Sequence, residues 1–380
     1  MNNQTELGNK KNIVLVTWKG AGNFGTYLQS YALNKKLQDL GFNVGFLPYL
    51  PPSYSIRQQL KWLLSLFGIK KIRDVVMRFK LSKQERKNKL FQKCHYNNEI
   101  TIYTKKQEIK LVNTTYCFVT GSDQIWNTYF KFDPTFFLSF VGEKKRVAYA
   151  SSIGVNSVKE EYKDRVKDFL QKFNHIGVRE KEAVKVLTEL TGRNDIVQVV
   201  DPTFLLTSNE WKKMAEDGKY EVDLPKDYIF CYLIGNNSWY KEQLMDVKKR
   251  TGINHVIIIP SAESPDFTCE GATIYRNASP VEFIDLLQNA MLVCTDSFHA
   301  TALSINNSIP FVEFMRFQDC DKKSQNSRLY DLLEHYELMY RIYQKDSNQW
   351  SAPIDYQKVQ EILDKDRKFS LDYLVNSIEK

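Results

Sequence analysis

Short apolar runs alternate with longer amphipathic runs along most of the chain. Apolar runs rich in β-branched and aromatic residues are typical of buried strands, and apolar positions three and four residues apart indicate helices. A repeated strand–helix alternation predicts parallel sheets with helices on both faces, so the expected fold class is α/β. The strands are predicted at 13–18, 42–47, 116–120, 146–152, 175–179, 196–200, 228–234, 255–259, 291–295 and 310–314, and the helices at 26–40, 56–93, 158–173, 180–191, 238–250, 279–290, 298–306, 327–336 and 355–380.

The alternation stops over a polar stretch at 207–227 and then restarts. A chain of 380 residues is long enough for two domains of ordinary size. We therefore predict two Rossmann-like domains, 1–205 and 206–350, of which the first carries a basic, amphipathic helical insertion at 55–93. Residues 351–380 are predicted to form a helix that packs back on the first domain.

The positive charge of the chain is a local feature. The formal net charge is +8, from 53 Lys and Arg against 45 Asp and Glu. Residues 57–93 hold twelve basic and two acidic side chains, which leaves a charge of about −2 for the rest. A nucleic-acid binder spreads its charge over a face or a domain, so nucleic acid is not an expected partner. The basic segment suits phosphates or anionic lipid instead.

The cysteines and histidines of the chain bear on its cellular compartment and on metal binding. The six cysteines show no C-x-x-C spacing, and several lie in apolar runs as reduced core cysteines do, which predicts a cytoplasmic protein. The five histidines have no paired spacing, so no metal site is expected. The N-terminal segment is polar, so no signal peptide is predicted. No apolar run approaches 18 residues, so no membrane span is predicted.

Polar segments follow five predicted strands at their carboxyl ends, where open α/β sheets bind ligands. The first, at 20–25 (GAGNFG), fits the dinucleotide pattern G-x-G-x-x-G. That pattern also needs a carboxylate at the end of the second strand, where this chain has GFLP at 45–48, so a nicotinamide cofactor is not expected. Gly22 is instead expected to let the backbone approach another ligand, to which Asn23 presents its amide. The alternative is a tight strand–helix turn.

His299 stands out among the remaining segments. Asp296 or Ser297 can cap the helix predicted after it, which places His299 in the first helical turn. Free N–H groups and the positive end of the helix dipole favour an anion such as phosphate there, and an imidazole beside phosphate can act as a general acid or base. The alternative is a histidine packed in the core. The remaining segments are 121–127 (GSDQIWN), 179–180 (RE), 201–203 (DPT) and 295–299 (TDSFH).

One further segment and three single residues have both a ligand-binding and an ordinary structural interpretation. Residues 121–123 (GSD) can offer N–H groups, a hydroxyl and a carboxylate to a ligand, or can cap the following segment. Arg179 and Arg328 suit a carboxylate or phosphate, or form surface ion pairs. Asp201, before a proline, can contact a ligand or can serve as a turn residue.

Seven segments in order and spacing resemble the polysaccharide pyruvyl transferase family, and together they span about residues 12–340. The resemblance implies a glycosyltransferase-B-like pair of domains with the active site in the cleft between them. The segments are GNFGTYLQSYAL (22–33), TGSDQIWN (120–127), YASSIG (149–154), GVREKEAV (177–184), VVDPTFLL (199–206), CTDSFHATALSINNSIPFV (294–312) and NSRLYDLL (326–333).

The chemistry that the resemblance implies uses phosphoenolpyruvate as co-substrate, with no other cofactor and no metal. The acceptor is a sugar of a surface or capsular polysaccharide, and the product is a pyruvate ketal across two of its hydroxyls, formed with release of phosphate. Many members act on lipid-linked precursors at the cytoplasmic face of the membrane. That implies a polyprenyl-diphosphate-linked acceptor and a peripheral position on the inner face of the membrane.

Residue roles follow from the resemblance by position. His299 is implied as the general acid and Arg179 as a contact of the donor's phosphate or carboxylate. Family members tend to carry an arginine two residues before this histidine, where this chain has Ser297, so Arg328 or Arg316 is expected to help hold the donor. Asp123 is the expected base for the acceptor hydroxyl. The remaining expected substrate-binding residues are Gly22, Asn23, Gly121, Ser122, Asp201 and Ser297 itself.

The basic insertion at 55–93 carries two apolar helical stripes, at 56–67 and 72–79. Interfacial helices have this composition, so the insertion is expected to contact an anionic membrane. The alternative is a pair of ordinary helices packed on the first domain with a solvated basic face.

Two other functions stay open on the sequence. One is a nucleotide-sugar glycosyltransferase of polysaccharide biosynthesis on the same fold. The other is a non-catalytic scaffold of a polysaccharide assembly at the membrane surface.

Overall fold

The computed structural model describes residues 10–20, 23–47, 81–96, 98–130, 132–216, 223–318 and 324–380. The expected ligand contact at Gly22 and most of the basic insertion, residues 55–80, lie outside these ranges. In the described part, the chain forms two parallel β-sheets with helices around them, as the strand–helix alternation predicts.

The first sheet has six strands in the order β2-β1-β3-β4-β5-β6. Its central strand β3 is buried along its whole length, which is why its residues read as a continuous apolar run. β3 lies between β1 and β4, with Ile13 opposite Cys117 and Cys117 opposite Lys145. The strands are β1 Asn12–Val16, β2 Asn43–Phe46, β3 Cys117–Thr120, β4 Lys145–Ser151, β5 His175–Val178 and β6 Val197–Gln198.

The second sheet has five strands in the order β11-β10-β7-β8-β9. β10 lies between β7 and β11, so that Cys294 is opposite Cys231 on one side and Val312 on the other. The strands are β7 Tyr228–Tyr232, β8 His255–Ile258, β9 Ala272–Ile274, β10 Leu292–Thr295 and β11 Phe311–Glu313.

Several helices begin where a capping box satisfies their first N–H groups. Such boxes pair Ser82 with Glu85 and Ser279 with Glu282. The helices are α1 Phe24–Asp39, α2 Lys83–His95, α3 Lys105–Thr114, α4 Lys163–Leu170, α5 Lys181–Thr191, α6 Ser208–Ala215, α7 Tyr240–Thr251, α8 Pro280–Gln288, α9 Phe298–Asn306, α10 Ser327–His335 and α11 Tyr356–Glu379.

The structure corrects the sequence prediction at three elements. The polar stretch expected from residue 207 begins with a helix, α6, because Thr207 and Glu210 form a capping box and Trp211 is buried. Helix α3 and strand β9 were not predicted, because neither carries a clear apolar face. Of the long helix predicted at 56–93, the described residues form α2.

The two sheets share one hydrophobic core. Phe24, at the start of α1, stacks on Phe283 of α8 with ring centroids 4.7 Å apart, and packs edge-on against Tyr232 of β7. The last helix, α11, packs on β4 of the first sheet, where the Tyr373 hydroxyl donates to the Ala148 carbonyl at 2.9 Å. No helix within the described ranges is both long and apolar enough to cross a lipid bilayer.

Candidate active site

A cleft of about 740 Å³ lies where the carboxyl ends of the two sheets face each other. The first sheet contributes the segments after β1 and β3, and the second contributes those after β7, β8 and β11, which is where α/β folds place their ligands. The lining residues are Trp18, Asn23, Thr26, Asp123, Gln124, Phe130, Ile234, Gly235, Asn236, Asn237, Trp239, Glu263, Arg316, Phe317, Gln318 and Gln325.

His299 lies in the first turn of α9, as its position after β10 predicts. Its Nε2 is 3.5 Å from Oδ2 of Asp201, without the geometry of a hydrogen bond. That nitrogen is buried and has no hydrogen-bond partner in the part of the chain that the structure describes. On the other side the ring touches the first turn of α1, because a Cβ added to Gly25 would lie 2.3 Å from Nδ1. His299 is therefore held between α1 of the first half and its own helix.

Asp201 receives donors on both carboxylate oxygens. Oδ1 accepts from the backbone N–H of Thr203 at 3.0 Å, and Oδ2 accepts from Nη1 of Arg179 at 3.0 Å and from the Ser122 hydroxyl at 3.3 Å. Burial alone would raise the pKa of Asp201, but His299, Arg179 and the Thr203 N–H outweigh it and hold that pKa well below its usual value. Asp201 therefore serves both as a turn residue, through the Thr203 N–H, and as the ion-pair partner of Arg179.

Arg179 is fully buried, so it is not a surface ion pair. Its Nε donates to Glu180 at 2.8 Å and its Nη1 to Asp201. Burial alone would lower its pKa, but these two carboxylates raise it, so the guanidinium stays charged. Its Nη2 is buried and has no hydrogen-bond partner among the described residues, and the guanidinium lies 4.2 Å from the ring centroid of Phe298.

Arg328 approaches the same phenylalanine ring, at 5.9 Å from its centroid, and is also buried. Its Nη2 donates to the side-chain oxygen of Gln325 at 2.8 Å, while its Nε has no partner within the described ranges. Within the described ranges no carboxylate lies within ion-pair distance of it. Burial, and then the charge of Arg179, lower its pKa. Each of the two buried guanidinium groups therefore keeps an N–H donor that has no hydrogen-bond partner among the described residues.

Asp123 lies on the wall of the cleft. Its Oδ1 accepts from its neighbour's N–H, and its Oδ2 accepts from the Thr26 hydroxyl at 3.2 Å. Gly121 precedes it with a φ of +121°, and a side chain there would collide with the Tyr149 carbonyl. Ser122 is fully buried and donates to the Ala150 carbonyl at 2.8 Å, so it lies behind Asp201 rather than in the cleft.

Two other expected contacts act as helix caps. Asn23 accepts from the N–H of Gly25 at 2.8 Å and also lines the cleft. Ser297 is buried, and its hydroxyl oxygen accepts from the N–H of Ala300 at 3.5 Å. Of the two candidates for the cap of α9, Ser297 is therefore the one that fills it.

Comparison with known proteins identifies the family of the chain. The model of the polysaccharide pyruvyl transferase family matches residues 23–315. The chain belongs to this family. The match includes His299, Asp201, Arg179 and Asp123, and it ends before Arg328. A search of curated protein sequences gives no match.

Solved structures share the fold of this family member at low identity. A protein described as a UDP-N-acetylglucosamine 2-epimerase from Listeria monocytogenes has a TM-score of 0.50 and 10% identity, over 97% of this chain and 91% of its own. MurG from Acinetobacter baumannii has a TM-score of 0.41 and 9% identity, over 97% and 99%. The expected α/β fold with two parallel sheets is confirmed, and the likeness to the epimerase concerns the fold alone.

The sequence did not reveal how this pyruvyl transferase family member holds Arg316 in the cleft. Buried Asp296 accepts from the N–H of Gly235 at 2.8 Å, from the Tyr240 hydroxyl at 2.7 Å, and from Nε of Arg316 at 3.1 Å. Asp296 thus organises the loop after β7 instead of capping α9. The signal in the sequence was a lone aspartate after β10, whose partners lie 20 to 61 residues away.

Proposed function

We propose that this protein transfers the pyruvyl group of phosphoenolpyruvate onto two hydroxyls of a sugar in a surface-polysaccharide precursor. The product is a pyruvate ketal, and inorganic phosphate leaves. The observation that carries the proposal is the pair of buried guanidinium groups, Arg179 and Arg328, which both lie within 6 Å of the centre of the Phe298 ring, with His299 next to Phe298 in the chain.

The negative charges of phosphoenolpyruvate suit the two buried guanidinium groups of Arg179 and Arg328. Phosphoenolpyruvate carries a phosphate and a carboxylate, and each guanidinium offers an unused buried N–H to such a group. Arg328 has no carboxylate partner in the described ranges, so an anionic ligand would relieve the cost of burying its charge. Arg316 is already paired with Asp296, so Arg328 rather than Arg316 is proposed to take the place of the arginine that this chain lacks at Ser297.

His299 is the proposed general acid. Protonation of the enol at C3 makes C2 electrophilic, and a sugar hydroxyl then forms a bond to C2. Phosphate leaves from C2, and the second hydroxyl closes the ketal. Asp201 lies 3.5 Å from the imidazole on one side and the first turn of α1 touches the ring on the other, so the ring is held in one position.

Asp123 is the proposed base for the attacking hydroxyl, because its carboxylate lines the cleft in which the acceptor would lie. The two hydroxyl protons balance the reaction: one replaces the proton delivered to C3, and the other leaves with phosphate. No atom is oxidised or reduced overall by an outside agent, so the scheme needs no redox cofactor.

A lipid-linked acceptor, and contact with an anionic membrane through residues 55–93, form part of the proposal. They rest on the excess of ten positive charges over residues 57–93. In the described end of this segment, Lys87 is paired with Glu282 of α8, so that lysine holds the segment to the second half and is not available to lipid.

The decisive experiment incubates the protein with phosphoenolpyruvate and a lipid-linked glycan. It measures phosphate release and a gain in product mass of one pyruvate ketal. His299→Ala is expected to abolish both, whereas His255→Ala, at an exposed histidine at the start of β8, is the matched control and keeps them. Full activity of His299→Ala would remove the assigned acid. Thermal protection by a nucleotide sugar but not by phosphoenolpyruvate would favour a glycosyltransferase instead.

A further inference from the structure

A second pocket lies between α10, α11 and the segment that follows β6. Among its lining residues, Gln198 and His335 are exposed, whereas Arg179 and Arg328 are buried. The pocket therefore leads from the surface of the protein to the two guanidinium groups, and we call it the outer pocket. In the part of the chain that the structure describes, it shares no lining residue with the cleft, so it is a separate site.

Four charged side chains of the outer pocket each keep one buried polar atom that has no hydrogen-bond partner among the described residues. Two of these atoms are donors, Nη2 of Arg179 and Nε of Arg328. The other two are acceptors, Oε2 of Glu180 and Oδ2 of Asp331. Buried polar atoms in native proteins are nearly always paired, because an unpaired one is costly. Two donors and two acceptors around one pocket therefore indicate a ligand that carries groups of both kinds.

The charges of the outer pocket disfavour a ligand that is only an anion. Besides its two guanidinium groups, the pocket is lined by the carboxylates of Glu180, Asp201, Asp331 and Asp366. Three of them lie within ion-pair distance of a basic side chain, whereas Asp331 forms no ion pair within the described ranges. A simple anion would meet four carboxylates beside two cations. A ligand with one positive and one negative end meets its complement at both ends.

The size and the apolar part of the outer pocket suit a short alkyl chain. Its volume is about 100 Å³, and one water molecule needs about 10–15 Å³ of such a cavity. The pocket therefore has room for a ligand of about seven to ten non-hydrogen atoms. An apolar middle between two charged ends would contact the remaining, apolar side chains of the lining. These include Val199, Val200, Phe204, Phe298 and Leu332.

We propose that the outer pocket binds a small zwitterion, in which a short alkyl chain joins an ammonium group to a carboxylate or a phosphate. The acidic group is placed at Arg179 and Arg328, and the ammonium group at Asp331 and Glu180, so that each of the four unpartnered atoms gains the kind of partner it lacks. Phosphoenolpyruvate is proposed to use the same two guanidinium groups. The zwitterion is therefore expected to compete with this donor, and that part of the inference rests on the proposed function.

The test measures binding without phosphoenolpyruvate, so that it does not depend on turnover. The probes are γ-aminobutyrate and ethanolamine phosphate, titrated by calorimetry into the full chain. Butyrate, butylamine and ethyl phosphate are the matched control ligands, because each carries only one of the two charged groups. At least one zwitterion is expected to bind at least about tenfold more tightly than its single-group analogues, since it makes charge-assisted contacts at both ends. Equal or tighter binding of the analogues, or no binding of either zwitterion, would overturn the inference.

A variant at Asp331 tests where the ammonium group lies. Asp331→Asn is expected to weaken binding of the zwitterion about tenfold and to leave the affinity for butyrate unchanged, because only the partner of the ammonium group loses its charge. Asp372→Asn, at an exposed residue of α11 outside the pocket, is the matched control and keeps wild-type affinities. Wild-type affinity of Asp331→Asn for the zwitterion would contradict the proposed binding mode.

Steady-state kinetics separate the inference from the proposed function. In the phosphate-release assay, the zwitterion is expected to raise KM for phosphoenolpyruvate and to leave kcat unchanged. An unchanged KM at saturating zwitterion would overturn the shared use of the two guanidinium groups. Zwitterion binding with no phosphate release in the lipid-linked assay keeps the ligand of the outer pocket and removes the proposed chemistry. Phosphate release without any zwitterion binding keeps the proposed function and removes the inference.

Discussion

The backbone of Gly25 lies so close to the imidazole of His299 that only glycine fits at this position without displacing the ring. A Cβ at this position would lie 2.3 Å from Nδ1 and 2.6 Å from Cγ of the ring. Gly25→Ala should therefore displace the ring and lower kcat by about 100-fold, as misplacement of a catalytic group by an ångström does. Steady-state assay of phosphate release measures the loss.

The matched control for this substitution is Gly45→Ala in β2. There a Cβ would meet the Cδ1 atom of Ile100 at 2.6 Å, a comparable collision with a side chain that does not line the cleft. Both variants should melt within a few degrees of each other. Wild-type turnover by Gly25→Ala would show that His299 does not need its position beside α1.

The negative charge of Asp201 is expected to stabilise the folded protein, because it lies beside the buried Arg179. Asp201→Asn leaves the buried Arg179 with Glu180 alone, and loss of one partner of a buried ion pair costs about 3–5 kcal/mol. Because the folded pKa is depressed, the stabilising effect is complete above the ordinary aspartate pKa of about 3.9 and is lost as the pH falls toward the folded value.

Urea denaturation at pH 7 and at pH values below 4 measures this dependence. The wild type should be much more stable than Asp201→Asn at pH 7, and the difference should shrink in acid. Asp195→Asn is the control, because Asp195 is half exposed in its pair with Arg193, so its loss should change stability by less than about 1 kcal/mol. A constant difference across the pH range would contradict the ionic role.

Arg328 should behave as a binding residue and not as a stabilising one. Its buried charge lacks a carboxylate partner in the described ranges, so Arg328→Gln should melt at the same temperature as the wild type or higher. The same variant should bind phosphoenolpyruvate about tenfold more weakly, because a charge-assisted contact is lost. Calorimetric unfolding and ligand titration measure the two effects.

Arg341 is the control for Arg328, because it is expected to stabilise the protein and not to bind the donor. It is equally buried, but its guanidinium donates to the carbonyls of Phe311 and Ala352 at 2.6 and 2.8 Å. Arg341→Gln should therefore lose about 1–3 kcal/mol of stability and keep its affinity for phosphoenolpyruvate. If Arg328→Gln destabilises like Arg341→Gln and binds the donor normally, Arg328 is structural.

At the scale of elements, α9 is fixed to the first half of the molecule at both ends. Its start carries His299 beside Asp201, and its last residue, Asn306, donates to the carbonyls of Thr203 and Leu206 at 2.8 Å each. Arg367 of α11 then donates to Asn306 Oδ1 at 3.0 Å. The segment after β6 and the helix with the proposed acid are thus joined along the whole length of α9.

Asn306→Ala tests this attachment. It leaves the Leu206 carbonyl and one guanidinium N–H of Arg367 without this partner, whereas the Thr203 carbonyl still accepts from the indole N–H of Trp211. The loss should cost about 1–3 kcal/mol in urea denaturation. It should also lower kcat, because the far end of the helix that carries His299 is released. Asn289→Ala, at an exposed helix cap in the same half, is the control. A stability loss with unchanged kcat would show that the start of α9 alone positions His299.

At the scale of the whole molecule, the shared core predicts cooperative unfolding. Residues of both sheets belong to one cluster, in which Phe24 of the first half contacts Tyr232 and Phe283 of the second. Proteins of this length with separate domains often unfold in steps. Differential scanning calorimetry should instead show a single transition that coincides with the loss of near-ultraviolet circular dichroism. Two resolved transitions would mean that the core does not couple the halves.

The sequence predicts the fold better than it predicts the environment of the site. Strand and helix periods recur locally, so most elements and both sheets are predicted, and ends of strands point to His299, Arg179 and Asp201. The structure adds that Arg179 is buried and that Ser122 lies behind Asp201. Such facts depend on contacts between distant parts of the chain, and no local pattern encodes them.

The same limit explains the elements and residues that the sequence misses. Strand β9 lies at a sheet edge and α3 packs weakly, so neither shows a periodic apolar face. Two aromatic residues of the segment after β3 show this, since Trp126 is buried in the core and Phe130 is exposed in the cleft. An exposed ring is distinguished from a core ring by its neighbours, which the sequence alone does not supply.

The contact of Phe24 with Phe283 also bears on how such chains can be recombined. Each half contributes a ring to the other's interior, so exchanging one half for that of a relative would pair surfaces that did not evolve together. Chimeras made at the segment between β6 and β7 should mostly fail to accumulate as folded protein. A new acceptor preference is easier to obtain by exchanging only the segments after β3 and β7 that carry Phe130 and Trp239, because these residues line the cleft and their exchange leaves the shared core intact.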